Sequence, residues 1–160
     1  MNIILIGRKH EGKSTFIRKY IKGKRCLLFD VNNEYKDMQT DTRKSVSRMT
    51  ELDHMKFIRL CNEKRNTVCV FEDATGFLGG RMESEFKKSF VSTRHTGNVN
   101  IYVFHSISAA PPTMLELADY IVLYRTNDER KRVEQKFPSL LSRYDKLQKA
   151  SKFSYIVIKL

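Results

Sequence analysis

Gly7-Arg8-Lys9-His10-Glu11-Gly12-Lys13-Ser14, with Thr15 behind it, is the stretch on which the fold turns. It matches GxxxxGK[ST] in every position and has the flanks that pattern requires. Ahead of it, Asn2–Ile6 is a continuous apolar, β-branched run that reads as a strand buried on both faces. Behind it, Lys13–Lys22 carries Phe16, Ile17, Tyr20 and Ile21 at helical spacing. A strand, a glycine-bounded loop and a helix start together form a phosphate cradle. The glycines permit backbone conformations that turn amide N–H groups inward, and the helix presents its positive end to the same anion. Gly7, Arg8, Lys9, His10, Glu11, Gly12, Lys13, Ser14 and Thr15 are therefore the expected nucleotide-binding residues. Lys13 reaches the β and γ phosphates as a mobile point charge, and the Ser14 hydroxyl is placed to ligate Mg²⁺.

Outward from the loop, the same alternation repeats. Cys26–Phe29, Val68–Phe71, Val99–Phe104 and Tyr120–Tyr124 read as further buried strands, with Tyr155–Leu160 as a sixth. Helical spacing recurs over Glu51–Glu63, Glu83–Val91 and Asp128–Lys136, the last with Asn127 as the expected N-cap. Lys36–Thr50 is polar, aperiodic and expected to be a surface loop. The implied architecture is a three-layer α/β fold with a mainly parallel central sheet and right-handed crossovers. The 160 residues suit one domain spanning 1–160. No apolar run approaches the roughly 18 residues that span a bilayer, and the N-terminal apolar stretch is too short for a signal peptide. Cys26, Cys61 and Cys69 form no CxxC pair and read as reduced thiols, mostly in apolar stretches. Secreted, membrane-spanning, disulfide-built and zinc-knuckle classes drop out, and a cytoplasmic protein is expected.

The run Val68–Phe71 ends in Glu72 and Asp73, as a Walker B element does. One acid there holds Mg²⁺ and the other orients or deprotonates the attacking water. Ser14, Glu72 and Asp73 are thus the expected metal residues, and the order of the two acids leaves their roles open. Asp73-Ala74-Thr75-Gly76 also reads as DxxG, the γ-phosphate sensor of GTPases. The guanine-reading NKxD is missing, however; Thr126-Asn127-Asp128 lacks its lysine and its spacing.

Further along, the motifs resemble those of HerA/FtsK-type P-loop ATPases. Phe29-Asp30-Val31-Asn32-Asn33-Glu34-Tyr35 is similar to their D-x-x-G-E-[YF] element, with Asn33 where glycine is usual. Thr93-Arg94-His95-Thr96-Gly97, then Asn100–Phe104, then His105-Ser106 resembles their arginine, glycine, strand and polar sensor series. Pro111-Pro112 and Ala118-Asp119-Tyr120-Ile121 continue it in consistent order over residues 1–130. The resemblance implies an additional-strand P-loop NTPase that binds ATP and Mg²⁺, assembles as a homo-oligomeric ring, usually a hexamer, and moves DNA. It implies catalytic roles for Lys13, Glu72 and Asp73, a sensor at His105 or Ser106, and an arginine finger at Arg94 reaching into a neighbouring subunit. The chain is too short for the family's accessory domains. It looks like a minimal phage or viral genome-packaging, Zot-like member, without the membrane segment Zot-like proteins usually add. Such a member works in the host cytoplasm or virion and docks on a capsid vertex or portal protein.

Charge points the same way. The formal net charge is +12, which favours a polyanionic partner. Residues 8–25 carry +7 and residues 125–152 carry +5, so two segments hold the whole excess. Phosphate contacts of this kind position a duplex without reading its sequence. Two other classes fit the loop: a small P-loop kinase, with Arg125–Arg132 as a phosphate lid, and a GTPase-like switch.

Overall fold

Buried β-branched runs and amphipathic stretches assort into one seven-stranded sheet with helices on both faces. The computed structural model describes residues 1–40, 46–50, 53–78 and 80–160, with side chains except at 39, 40, 46, 80–83 and 94. The strands are β1 (Asn2–Ile6), β2 (Cys26–Phe29), β3 (Val46–Met49), β4 (Val68–Phe71), β5 (Val99–Phe104), β6 (Tyr120–Tyr124) and β7 (Tyr155–Lys159). The helices are α1 (Lys13–Ile21), α2 (His54–Glu63), α3 (Gly80–Thr96), α4 (Pro112–Leu117), α5 (Arg130–Lys136) and α6 (Leu141–Gln148). Sheet order is β3-β2-β4-β5-β1-β6-β7; all pairs are parallel except β6 with β7. β5 therefore sits between β1, which feeds the phosphate loop, and β4, which carries the acids. That is the additional-strand arrangement.

The pleat divides the core in two. Ile3, Leu5, Leu28, Val70, Ile101 and Val103 face α1 through Ile17 and Ile21, with the ring of Tyr35 beside them. Ile4, Ile6, Phe71, Tyr102, Phe104 and Leu123 face the remaining helices around Phe57, Phe86, Leu115 and Leu147. Successive strand residues point to opposite faces, so strands buried on both sides must be apolar throughout. The three cysteines are buried and free.

Differences from the sequence expectations are local. Lys36–Thr50 contains β3, paired in register with β2 from Cys26 opposite Val46 to Phe29 opposite Met49. This edge strand is too short and too polar to show a period. α3 extends in both directions beyond Glu83–Val91, and α6 lies where no helix was expected. Helix α2 runs over His54–Glu63, capped by the Asp53 carboxylate accepting from the Lys56 amide; residues 51 and 52 lie outside the described ones. α5 begins at Arg130 rather than Asp128, and Asn127 does not cap it. The Asp128 carboxylate instead accepts the Ile107 and Ser108 amides at 2.7 and 3.1 Å. That bond fixes the turn that follows β5.

Candidate functional site

Strand β1 runs directly into the phosphate loop. A Cβ on Gly7 would lie 2.6 Å from the Cβ of Tyr124, so glycine alone lets the chain leave beside β6. His10 and Gly12 both have positive φ, +62° and +98°. Such left-handed residues bring successive amides toward one concavity. α1 starts at Lys13 with no side-chain cap on its first-turn amides, leaving the positive helix end to an anion.

Lys13 is buried and crosses the loop, its Nζ donating to the carbonyls of Gly7 at 2.5 Å and Arg8 at 2.8 Å. Burial lowers its pKa, against the opposing pull of Glu72, Glu34 and Glu11. Glu11 turns inward and is paired with Arg8 at 2.8 Å and Arg125 at 3.1 Å. Burial pushes its carboxyl up, but the two guanidinium groups together hold it below its ordinary value. Its side chain braces the loop against β6, and Arg8 is committed to it and to Asn127. Lys9, His10 and Thr15 are exposed along the loop and the start of α1.

The two acids part company. Glu72 is buried, and its Oε2 accepts from the Tyr35 hydroxyl at 3.0 Å. Burial raises its pKa to about 7, with Glu34 adding to the rise and Lys13 opposing it. Asp73 is exposed, with φ of +51°, and its carboxylate accepts from the Thr75 hydroxyl. It faces His54 and His105, whose pKa values are both lowered, chiefly by burial. The additional strand delivers His105 into this space, where its Nδ1 is buried with no hydrogen-bond partner among the described residues. The Ser106 hydroxyl lies 3.3 Å from that of Ser108.

The segment after β2 contributes residues that the motifs alone did not mark as functional. Asp30 is fully buried; it accepts the amides of Glu34 at 2.8 Å and Tyr35 at 3.2 Å and is paired with Arg48 of β3 at 2.7 Å. The turn it organises presents Glu34 to the Ser14 hydroxyl, which donates to it at 2.7 Å, and Tyr35 to Glu72. Asn33 has φ of +55°, the conformation for which glycine or asparagine is favoured. The Asp30–Glu34–Tyr35 spacing was the available signal; Arg48 offered none.

Ser14, Glu34 and Glu72 form a hydroxyl-plus-carboxylate donor set that suits a hard cation such as Mg²⁺. Among the described residues no group of three or more His, Cys, Asp or Glu forms a metal cage, so phosphate and water oxygens would complete the shell. Asp73 is exposed and bonded to the Thr75 hydroxyl. Arg94 does not join the site. It lies near the end of α3, at the edge of the sheet where β5 begins, while the loop lies at the edge where β1 ends; its side chain is outside the described ones. Of the arginines considered for a kinase lid, Arg125 holds Glu11 and Arg130 holds Asp145 at 3.0 Å.

Solved structures share this arrangement. The DNA-packaging ATPase B204 of Sulfolobus turreted icosahedral virus superposes with a TM-score of 0.76 at 16% identity, over 99% of this chain and 91% of that one. The genome-packaging NTPase B204 of Sulfolobus turreted icosahedral virus 2, in complex with AMPPCP, gives 0.78 at 17% identity, over 98% and 91%. This chain has the P-loop NTPase fold. A more distant P-loop structure, the pCW3 conjugation coupling protein TcpA with ATPγS, gives a TM-score of 0.55 at 11% identity over 86% of this chain and 52% of that one. No protein-family model matches the sequence, and no curated protein matches it either. Within the P-loop fold, the nucleotide side of the sheet also holds a cavity of about 370 Å³ beside Gly12 and Thr15, walled by Phe16, Lys19, Tyr124, Phe153 and Tyr155. Among the described residues no helix is long and apolar enough to cross a membrane.

Proposed function

We propose that this chain is a Mg²⁺-dependent ATPase that moves DNA, as a homo-oligomeric ring packaging a viral genome. The observation that carries the ATPase reading is the placement of buried Glu72 beside Lys13 and Ser14, with His105 brought alongside by the additional strand. Likeness to the B204 packaging enzymes over nearly the full length of both chains supports the packaging role.

In this reading Lys13 and the first-turn amides of α1 bind the β and γ phosphates. Ser14, Glu34 and Glu72 would hold Mg²⁺, which would supply charge neutralisation at the phosphates. Asp73, exposed at the end of β4, takes the proton of the water attacking the γ phosphorus, as the bond to ADP breaks. His105, whose pKa is lowered by burial and by nearby Lys13, hydrogen-bonds the γ phosphate and reports its loss through the Asp128-anchored turn. Arg94 acts on the neighbouring subunit's nucleotide, which accords with its distance from its own loop. DNA is gripped through its phosphates, and a capsid vertex or portal protein is the docking partner.

The deciding experiment is Mg²⁺-dependent phosphate release from ATP and GTP, with and without DNA, with Lys13→Ala as the control. ATP hydrolysis that DNA stimulates and that rises more than linearly with protein concentration supports the translocase. Hydrolysis indifferent to DNA, or a strong GTP preference, overturns it.

A further inference from the structure

We infer that Arg18 is a positioning residue: it grips the chain after β2 from α1 and so sets Glu34 beside Ser14 as a Mg²⁺ ligand. This rests on the nucleotide and Mg²⁺ reading above. Ser14 and Arg18 are four residues apart on α1, one helical turn along the same face. Both reach the same segment. The Ser14 hydroxyl donates to the Glu34 carboxylate at 2.7 Å. The Arg18 guanidinium donates through Nη1 to both carboxylate oxygens of Asp37 and through Nη2 to the Glu34 carbonyl. Its central carbon also lies 5.1 Å from the centre of the Tyr35 ring, within reach for a cation over an aromatic face. One side chain thus touches Glu34, Tyr35 and Asp37 together.

Glu34 needs such support because it is exposed. A solvated glutamate samples many rotamers, and ordering it costs conformational entropy. Asp30 fixes the near side of the turn through the Glu34 and Tyr35 amides, and Arg48 in turn holds Asp30. Arg18 fixes the far side, and does so from the helix that carries Lys13 and Ser14. A planar guanidinium suits three partners at once, because it carries several donors in a rigid fork and stacks on rings. The Arg18–Asp37 pair is open to water, the side chains being 31% and 70% exposed. Exposed pairs of this kind contribute little to stability, so the consequence of this one is placement rather than folding. Mg²⁺ tolerates little departure from octahedral geometry, and a loosely placed carboxylate holds it poorly.

The test is calorimetric binding of AMPPCP across a Mg²⁺ titration and in EDTA, with melting curves. The proteins are the wild type, Arg18→Ala, Arg18→Lys, Glu34→Gln and the double variant Arg18→Ala with Glu34→Gln. Arg18→Ala is expected to raise the Mg²⁺ concentration that half-saturates the gain in affinity by about tenfold, while affinity in EDTA stays within about twofold. Its melting temperature should move by no more than about 3 °C. Arg18→Lys keeps the charge without the fork or the stack and should recover less than about a third of the loss. In the Glu34→Gln background Arg18→Ala should add less than about twofold, since it acts through that carboxylate. Unchanged Mg²⁺ dependence in Arg18→Ala, full recovery in Arg18→Lys, or an undiminished penalty beside Glu34→Gln overturns the inference. An equal loss in EDTA, or a much larger fall in melting temperature, overturns it too, by showing a direct phosphate contact or a purely structural role. Wild-type affinity that ignores Mg²⁺ removes the metal reading itself and this inference with it, an outcome distinct from any behaviour of the Arg18 variants.

Discussion

Asp30 and Glu72 are both buried carboxylates, and they have different partners. Asp30 has two amides and the Arg48 guanidinium around it, with Arg48 itself 3% exposed. Removing one partner from such a pair strands the other charge, so Arg48→Ala is expected to cost about 3–5 kcal/mol in a urea melt. Glu72 has a single hydroxyl donor and other carboxylates nearby, and its pKa rises to about 7. A group whose folded pKa exceeds its unfolded value lends full stability below the unfolded pKa and loses it as pH rises through the folded one. Between pH 4.5 and about 7, therefore, ionisation of Glu72 works against the fold. Glu72→Gln should raise the melting temperature at pH 8, by an energy on the order of 3 kcal/mol or less, and the gain should vanish near pH 4.5. A gain that did not depend on pH would contradict this. The same substitution should abolish turnover, since it removes a proposed Mg²⁺ ligand.

Among the elements, β5 and the turn that ends it tie chemistry to scaffold. Its lower half is locked to α3: the Thr93 hydroxyl donates to Asn2, and Asn100 donates to Thr93 and to the Ser89 carbonyl. Its upper end carries His105, held by the two amides that Asp128 accepts, while the Asp128 carbonyl accepts from the Tyr144 hydroxyl at 2.6 Å. The turn after His105 and α6 are thus connected through one residue. Asp128→Ala leaves two buried amides unsatisfied, a loss of about 1–3 kcal/mol. Amide hydrogen exchange at Ile107 and Ser108 should speed up while exchange in β4 stays slow. Faster exchange throughout the sheet would mean that the turn is not a separate unit.

For the whole molecule, the parallel sheet separates two edges. Strand ends carry the phosphate loop and the acids Glu72 and Asp73, and strand beginnings gather positive charge from segments far apart in sequence. Exposed Lys22, Lys24 and Arg25 follow α1, and exposed Lys64 and Arg65 follow α2. Arg25, Lys64 and Arg65 border one shallow groove with Ser47, Thr67 and a single acid, Glu63. Several basic residues of the first cluster are unsuited to this role: Lys13 is buried and Arg18 is bound to Asp37. Replacing Lys64 and Arg65 together by Ala should weaken DNA binding uniformly across sequences and flatten the log–log salt slope by roughly two. Unchanged affinity and slope would place DNA elsewhere. Arg94→Ala is expected to lower kcat by about 10³-fold or more with little change in ADP affinity; a parallel loss of ADP affinity would contradict a role in trans.

Much of this was legible in one dimension. β1, β2, β4, β5 and β6 occupy the residues their apolar runs marked, because strands buried on both faces need uninterrupted apolar sequence. The phosphate loop was readable because its parts are contiguous: Gly7 to Ser14 carry their geometry in eight residues. Long-range relations were not readable. The polar strand β3 exists through its pairing with β2, and Arg48 finds Asp30 only through that register. The different environments of adjacent Glu72 and Asp73 follow from the strand's end, where one side chain turns into the core and the next into solvent. Phe153 reaches Gly12 and Tyr155 reaches Phe16 because β7 pairs antiparallel with β6, across more than a hundred residues of chain. Local periodicity encodes which residues must be covered, and three-dimensional closure chooses what covers them.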